Sequence, residues 1–173
     1  MKEAIALFNL DPYDIGINNS FNWSEDPNIF GYVYFKQKSK NSPVVTRVKI
    51  YNLPEGEHGM HVHENELTES IMKYKDCCKK LGGHFNPTNE EHGNHAGDLC
   101  FNINSINGEV VKKFNRKTIS LYEGKLNIIG RSLVIHKDRD DMGTKNPNGV
   151  VNEESLITGN AGSRIACSNI ISF

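Results

Sequence analysis

The chain has 173 residues and a formal net charge of −1, with 20 Lys and Arg against 21 Asp and Glu. This balance gives no reason to expect nucleic acid or anionic membrane as a partner, and no apolar run approaches the roughly 18–20 residues of a membrane span. The length suits one domain over residues 1–173. The N-terminal MKEAIALFNL is interrupted by Glu3 and does not resemble a secretory signal, so we expect a cytoplasmic protein.

Short segments of alternating apolar and polar residues, separated by polar turns, dominate the chain. In 44–53, Val44, Thr46 and Val48 follow the period-two pattern of a strand with one buried face. The candidate strands are 3–9, 29–37, 44–53, 59–64, 99–106, 108–114, 117–121, 126–136 and 164–172. Asn107-Gly108 is a typical hairpin turn. Eight or nine short strands without a strong helix predict an all-β sandwich or barrel.

Two connections, 64–98 and 137–163, are too long for hairpin turns, and such loops in a compact domain are usually functional or disordered. In the first loop, four residues recur at the spacing of one helix face. They are Leu67, Ile71, Tyr74 and Cys78. This stripe predicts a short amphipathic helix that Asn65 would cap. An irregular polar insert is the alternative.

The stretch GMHVHE, residues 59–64, carries two histidines one residue apart. Alternate side chains of a strand point to the same face, so His61 and His63 share one face while Met60 and Val62 share the other. Two ordinary histidines on a half-exposed strand are one explanation. Two rings that bind one metal ion are the other, and the pair alone does not decide between them.

Further histidines and an aspartate lie in loops or at strand ends. They are His84, His92, His95, Asp98 and His136. Neutral imidazole suits copper and zinc, and a carboxylate can complete a tetrahedral zinc site. Their concentration in two segments favours metal ligands over scattered surface histidines. His58 lies in GEHG, between turn residues, and we expect it to form hydrogen bonds with the backbone instead.

Four cysteines are present, namely Cys77, Cys78, Cys100 and Cys167. They contain no CxxC pair, which argues against a zinc ribbon. In a cytosolic protein the default state is four reduced thiols. The histidines are therefore more informative about function than the cysteines.

Several ordered motifs together resemble the copper/zinc superoxide dismutase family. They are LPEGEHGMHVHE, GGHFNP, HAGDL, IIGRSLVIH, the DD and G of DDMG, and NEES followed by TGNAGSRIAC, and they lie between about residue 44 and residue 170. A single HxH is weak evidence, whereas this ordered series is very specific. The resemblance implies an all-β, eight-stranded Greek-key β-sandwich or flattened barrel with two long functional loops. It also implies copper and zinc as cofactors, superoxide as substrate, and a homodimer.

The resemblance assigns a role to each matching residue. The implied copper ligands are His61, His63, His84 and His136. The implied zinc ligands are His84, His92, His95 and Asp98, so His84 bridges both metals. Asp140 corresponds to the aspartate that links a copper-ligand histidine to a zinc-ligand histidine. Arg164 corresponds to the arginine beside the copper and, with His84, is the implied catalytic residue. Cys78 and Cys167 match the intrasubunit disulfide.

The first loop departs from the family pattern in two ways. His92 and His95 are only three residues apart in HGNH, where the family usually has a longer loop. A tight turn through Gly93 and Asn94 would still bring both rings to one ion, since Gly and Asn tolerate left-handed conformations. Cys77 is an extra thiol that competes with its neighbour for the disulfide.

The second loop and the C-terminus also depart from the family. The family often has a lysine after EES that helps to steer the anion, whereas this chain has Leu156 and Ile157. Steering should be weaker unless another cation compensates. The candidates are Lys137, Arg139 and Lys145. The ending SNIISF lacks the glycines that shape the usual dimer contact.

We expect an active superoxide dismutase without a nucleic-acid or membrane partner. The alternative is a catalytically silent, metal-binding relative that acts as a binding or decoy protein. Such a relative should have lost copper ligands or the arginine. This chain keeps the six ligand histidines together with Asp98, Asp140 and Arg164, which favours the enzyme.

Overall fold

The computed structural model describes residues 1–10, 21–100, 102–143 and 152–173. Within these residues, ten strands form two antiparallel sheets of five strands each. The strands are β1 (Lys2–Phe8), β2 (Asn22–Ser24), β3 (Phe30–Gln37), β4 (Val44–Tyr51), β5 (Gly56–His63), β6 (Asn102–Ser105), β7 (Glu109–Arg116), β8 (Ser132–His136), β9 (Arg164–Asn169) and β10 (Ile171–Ser172). The predicted all-β class is confirmed.

The strand order defines an open sandwich with a Greek-key connection. One sheet has the order β10-β1-β3-β4-β7, and the other has the order β2-β9-β8-β5-β6. After β4 the chain crosses to the second sheet for β5 and β6, and it then returns as β7 beside β4. The described strands number ten rather than eight, because β2 is too short to give a periodic pattern and the predicted strand 164–172 is divided into β9 and β10.

The core lies between the sheets and is built from alternate residues of the strands. Val48 and Ile50 of β4 pack in the same apolar cluster as Met60 and Val62 of β5, and all four are at most 2% exposed. Because Met60 and Val62 take the core side of β5, the side chains between them are directed away from the core cluster. The strand alternation thus places the two histidines of HVH on one side of the second sheet.

Two predicted elements differ from the structure. Residues 117–121 do not form a strand, and Ser120 makes only an isolated bridge to Asn127. The helix predicted in the first loop is one turn, α1 (Glu69–Met72), followed by a 3₁₀ helix at Cys77–Leu81. Its cap is Thr68, whose side chain accepts a hydrogen bond from the Ile71 amide, and not Asn65.

The second loop contains a helix that the sequence pattern did not reveal, α2 (Glu153–Thr158). Asn152 caps it by accepting from the Glu154 amide, and Gly159 ends it in a left-handed conformation. The helix has no buried apolar residue, so it lacks the apolar stripe by which helices are recognised. No helix in the described ranges is long and apolar enough to cross a membrane.

A disulfide joins Cys78, in the 3₁₀ helix of the first loop, to Cys167 in β9. The two residues are 89 positions apart in sequence, and their Cα atoms are 5.8 Å apart. Cys77 and Cys100 are free. The pairing implied by the family resemblance is therefore confirmed over its competitor, and the bond ties the first long loop to the second sheet.

Removing this disulfide should destabilise the protein strongly. We expect Cys78→Ala/Cys167→Ala to lose roughly 4–5 kcal/mol at most, since the bond restricts a long loop in the unfolded chain. Cys100→Ala, the control, should lose about 1 kcal/mol or less. Denaturant unfolding of the chelator-treated, metal-free proteins measures both values, and equal stability of the two variants would contradict this role.

Candidate metal centre

Four buried histidines converge on the face of β5 and β8 that is turned away from the core between the sheets. His61 and His63 come from β5 and His136 from the end of β8, while His84 follows the first loop and forms an isolated bridge with His63. Each ring offers one nitrogen, and the four nitrogens lie within 4.8 Å of one another. We call these residues the four-histidine cluster. The sequence prediction that HVH contributes two rings to one site agrees with this geometry.

In three rings of this cluster, a protein acceptor holds the nitrogen that faces away from the centre. Nδ1 of His63 donates to the Gly82 carbonyl at 3.0 Å, and Nδ1 of His136 donates to the Gly162 carbonyl at 3.3 Å. Their Nε2 atoms are then 3.3 Å apart. His61 is turned the other way, with Nε2 bonded to Asp140 at 2.7 Å, so that its Nδ1 remains for a ligand.

A second group, the histidine–aspartate cluster, lies beside the first. It consists of His84, His92, His95 and Asp98, whose ligand atoms also lie within 4.8 Å of one another. Oδ1 of Asp98 is 2.8 Å from Nδ1 of His84, and Oδ2 is 3.3 Å from Nδ1 of His95. Three nitrogens and one carboxylate are the donor set of a tetrahedral zinc site.

The short HGNH segment reaches this cluster through a tight turn. Gly93 has φ of +93°, and its amide donates to Oδ2 of Asp98 at 2.8 Å. Glycine adopts this conformation without steric cost. The shortened spacing therefore still places His92 and His95 around the same carboxylate.

His84 belongs to both clusters. Its Nδ1 faces Asp98, and its ring stacks on that of His61 with centroids 4.0 Å apart. Nε2 is therefore the nitrogen directed to the four-histidine cluster. One imidazole with a nitrogen in each cluster is the geometry of a bridging ligand.

Asp140 connects the two clusters from the opposite side. Its Oδ2 accepts from Nε2 of His61 at 2.7 Å, and its Oδ1 accepts from Nε2 of His92 at 3.0 Å. The main chain of Asp140 is held in turn by Asn102, which donates to its carbonyl and accepts from its amide. Carboxylates in this position fix the tautomer and orientation of metal-ligand histidines.

Two positioning residues could not be found from the sequence motifs. In the sequence, Asn102 looks like an ordinary strand residue. The residues next to it in the chain do not predict its contact with Asp140. Gly159 lies directly against the Asp140–His92 pair, and a Cβ at this position would overlap both side chains. Gly159 belongs to the motif TGNAG, but the motif does not predict which side chains pack against this glycine.

The electrostatics favour the protonation states that metal binding needs. Burial, reinforced by the charge of Arg164, holds the pKa of His63 well below its ordinary value. Burial lowers the pKa of His84 to about 4. Burial would raise the pKa of Asp98 and Asp140, but the bonds from their histidine partners outweigh it and hold both well below the usual range. His63 and His84 are therefore neutral and both carboxylates are ionised at neutral pH, as metal binding needs. For His92, burial would lower the pKa, but the bond to Asp140 and the charge of Asp98 outweigh it and raise the pKa.

Unpaired buried nitrogens test whether metals fit these clusters. Nδ1 of His61, Nε2 of His84, Nδ1 of His92 and Nδ1 of His95 are buried without a hydrogen-bond partner. Buried polar atoms are normally paired, and each orphan needs an explanation. All four orphans point to the two cluster centres, as ligands of bound ions would. The residues fit one copper and one zinc ion.

Arg164 lies at the start of β9, opposite His136 in the strand register. Its guanidinium donates to the Cys78 carbonyl at 2.8 Å and to the Gly82 carbonyl at 2.7 Å. The Gly82 carbonyl is the same atom that accepts from His63. The first loop therefore positions a cation and a metal-ligand ring together.

Comparisons with known proteins agree with this geometry. The family model for copper/zinc superoxide dismutase matches residues 29–170. The chain belongs to this family. Among its relatives, a superoxide dismutase homologue of Autographa californica nuclear polyhedrosis virus is 42% identical over 82% of this chain and 91% of its own length. A copper/zinc superoxide dismutase of Cryptococcus neoformans is 40% identical over 82% and 89%. Superoxide dismutase 5 of Dictyostelium discoideum is 38% identical over 81% and 88%.

Three residues singled out in the sequence belong to neither cluster. His58 forms hydrogen bonds with the carbonyls of His136 and Pro54, as expected, but it lies in β5 and not in a turn. Arg139 pairs with Glu57 at 2.8 Å, so its charge is partly neutralised. Lys145 lies outside the described residues.

The bond between Asp140 and the histidine rings can be tested by substitution. In Asp140→Asn, an amide replaces one of the two acceptors, so His61 or His92 loses the bond that orients it. We expect metal affinity to fall about 10- to 100-fold, as measured by zinc titration against a chelator. Asp138→Asn, an exposed carboxylate two positions earlier, is the control and should bind zinc normally. Unchanged affinity in Asp140→Asn would contradict the assignment.

Proposed function

We propose that the protein is a copper/zinc superoxide dismutase, which converts two superoxide ions and two protons to oxygen and hydrogen peroxide. The observation that carries the proposal is the pair of donor clusters that share His84. The four-histidine cluster would hold copper and the histidine–aspartate cluster would hold zinc. Copper supplies the reversible one-electron chemistry when bound, whereas zinc has no redox chemistry.

The protein's own residues would bind the substrate and donate a proton to the product. Superoxide is an anion, and Arg164 keeps its charge at all relevant pH values, even though burial lowers its pKa. Its guanidinium is fixed by two carbonyls and therefore offers a preformed docking charge. Nε2 of His84 faces the four-histidine cluster without a protein partner, so it is the ring nitrogen from which a proton can pass to the product.

The intact donor set supports an enzyme over a silent relative. The ligands and Arg164 are all present, and each cluster brings its ligand atoms together. In the second loop, Leu156 and Ile157 are half or more exposed where the family often has a steering lysine. These two positions therefore offer no positive charge, whereas Arg164 is a cation fixed beside the four-histidine cluster.

The copper assignment predicts that His63→Ala loses copper and activity together. The variant keeps the complete histidine–aspartate cluster, so zinc should remain bound. Elemental analysis and a superoxide-decay assay measure the two properties on the same sample. His58→Gln changes a histidine outside both clusters and should keep both metals. Full activity in His63→Ala would refute the assignment.

Reversing the charge at Arg164 should slow the reaction with both metals still bound. We expect the second-order rate of Arg164→Glu to fall about tenfold or more, since the positive charge attracts the anion. Added salt should slow the wild type by screening and should affect the variant less. Arg139→Gln is the control, because Arg139 is already paired with Glu57. A normal rate in Arg164→Glu would mean that the anion is guided elsewhere.

The homodimer and the cytoplasmic location stay predictions. Family membership supports the dimer, and sedimentation velocity of the purified protein tests it, with a monomer at micromolar concentration as the contrary result. The relatives include an extracellular superoxide dismutase of Drosophila melanogaster, so the family does not fix the location. Immunofluorescence in the source cells tests it, with secretion as the contrary result.

A further inference from the structure

A third cluster of donor atoms lies apart from both histidine sites. The sulfur atoms of Cys77, Cys78 and Cys167 lie within 4.8 Å of one another. Two of them form the disulfide and the third is a free thiol. All three residues are at most 1% exposed. We call this group the three-sulfur cluster.

All three donor atoms of the cluster are cysteine sulfurs, which are soft ligands. In the described part of the chain, no histidine or carboxylate joins these three residues as a further donor. Structural zinc sites are almost always four-coordinate, and three sulfurs leave such a site incomplete. Soft thiolate donors bind both Zn²⁺ and Cu(I), but three of them are a complete ligand set for Cu(I). The donor set therefore favours Cu(I) over Zn²⁺.

We propose that, when the Cys78–Cys167 disulfide is reduced, the three thiols form a binding site for one Cu(I) ion. This site is separate from the four-histidine cluster, and the proposal does not depend on the superoxide dismutase activity. In the oxidised protein Cys77 is the only member of the three-sulfur cluster that remains a thiol, so the site exists in one redox state and is absent in the other.

The surroundings of the cluster suit such an ion. Leu67, Leu81 and Val134 pack around the sulfurs and exclude water, which protects Cu(I) from oxidation. Cys78 also borders a cleft of about 530 Å³, whose lining includes Lys79 and Arg164. Arg164 donates to the Cys78 carbonyl, so a guanidinium lies beside the cluster. The carboxylates of Glu25 and Asp76 also line the cleft. Cys78 is the member of the cluster that lines the cleft, so a reductant or Cu(I) would approach the cluster from this side.

The reaction balances with a small-molecule thiol as reductant. Two reductant thiols give up two electrons and two protons and become a disulfide, and the Cys78–Cys167 bond breaks into two thiols. Binding of Cu(I) then releases the protons of the thiols that coordinate it. Burial raises the pKa of the Cys77 thiol, so without a metal this thiol stays protonated and is a poor nucleophile toward the neighbouring disulfide.

Titration with Cu(I) against a coloured Cu(I) chelator tests the proposal. The zinc-loaded protein is reduced, separated from reductant under argon, and compared with the oxidised protein. Both contain the four-histidine cluster, so we expect the reduced wild type to bind one more Cu(I) than the oxidised form. In reduced Cys77→Ser the additional site should weaken at least about tenfold, since loss of a ligand costs no less than loss of an outer partner. Reduced Cys100→Ser, the control, should match the wild type.

Two results of this titration would contradict the proposal. Equal Cu(I) stoichiometry in the reduced and oxidised proteins would overturn the proposal, as would an unchanged additional site in Cys77→Ser. Circular dichroism verifies that each variant is folded. X-ray absorption at the copper edge of a reduced His63→Ala protein gives a second measurement, in which sulfur ligands are expected and nitrogen ligands alone would refute the site. Neither readout uses superoxide, so failure here leaves the enzymatic function untouched.

Discussion

Each histidine of the metal centre has two ring nitrogens, and most of these rings have one nitrogen held by the protein while the other is left for a ligand. Asp140 holds His61 and His92, while the carbonyls of Gly82 and Gly162 hold His63 and His136. These acceptors come from the two long loops and not from the strands that carry the rings. The loops are therefore part of the site, and the strands alone would present three rings, His61, His63 and His136, without fixed orientation.

The loops are held in turn by contacts with the second sheet. The Cys78–Cys167 disulfide fastens the first loop to β9, and the Gly82 carbonyl accepts from both His63 and Arg164. In the second loop, Gly159 leaves room for the Asp140–His92 contact. A displacement of either loop would thus move a ring of the histidine clusters and, in the first loop, the two carbonyls that hold Arg164 as well. Stability and catalysis share these contacts.

Much of the fold and the ligand set could be predicted from the sequence, for identifiable reasons. The period-two pattern of β4 is strong because one face is buried, and HVH within a strand fixes two rings on one side. The motif series then pointed to the other residues of the two clusters and to the disulfide. Three features could not be predicted. β2 has three residues, α2 has no buried apolar residue, and the contact between Asn102 and Asp140 joins residues 38 positions apart. Short elements and long-range polar contacts leave no periodic signal in the sequence.

The central claim is that His84 belongs to two metal sites, with Nε2 directed to copper and Nδ1 directed to zinc. The most direct measurement is a crystal structure of the metal-loaded protein with anomalous data at the copper and zinc edges. The account predicts one copper at the four-histidine cluster and one zinc at the histidine–aspartate cluster, with the His84 ring between them. Zinc bound without His84, or a single metal shared by both clusters, would contradict it.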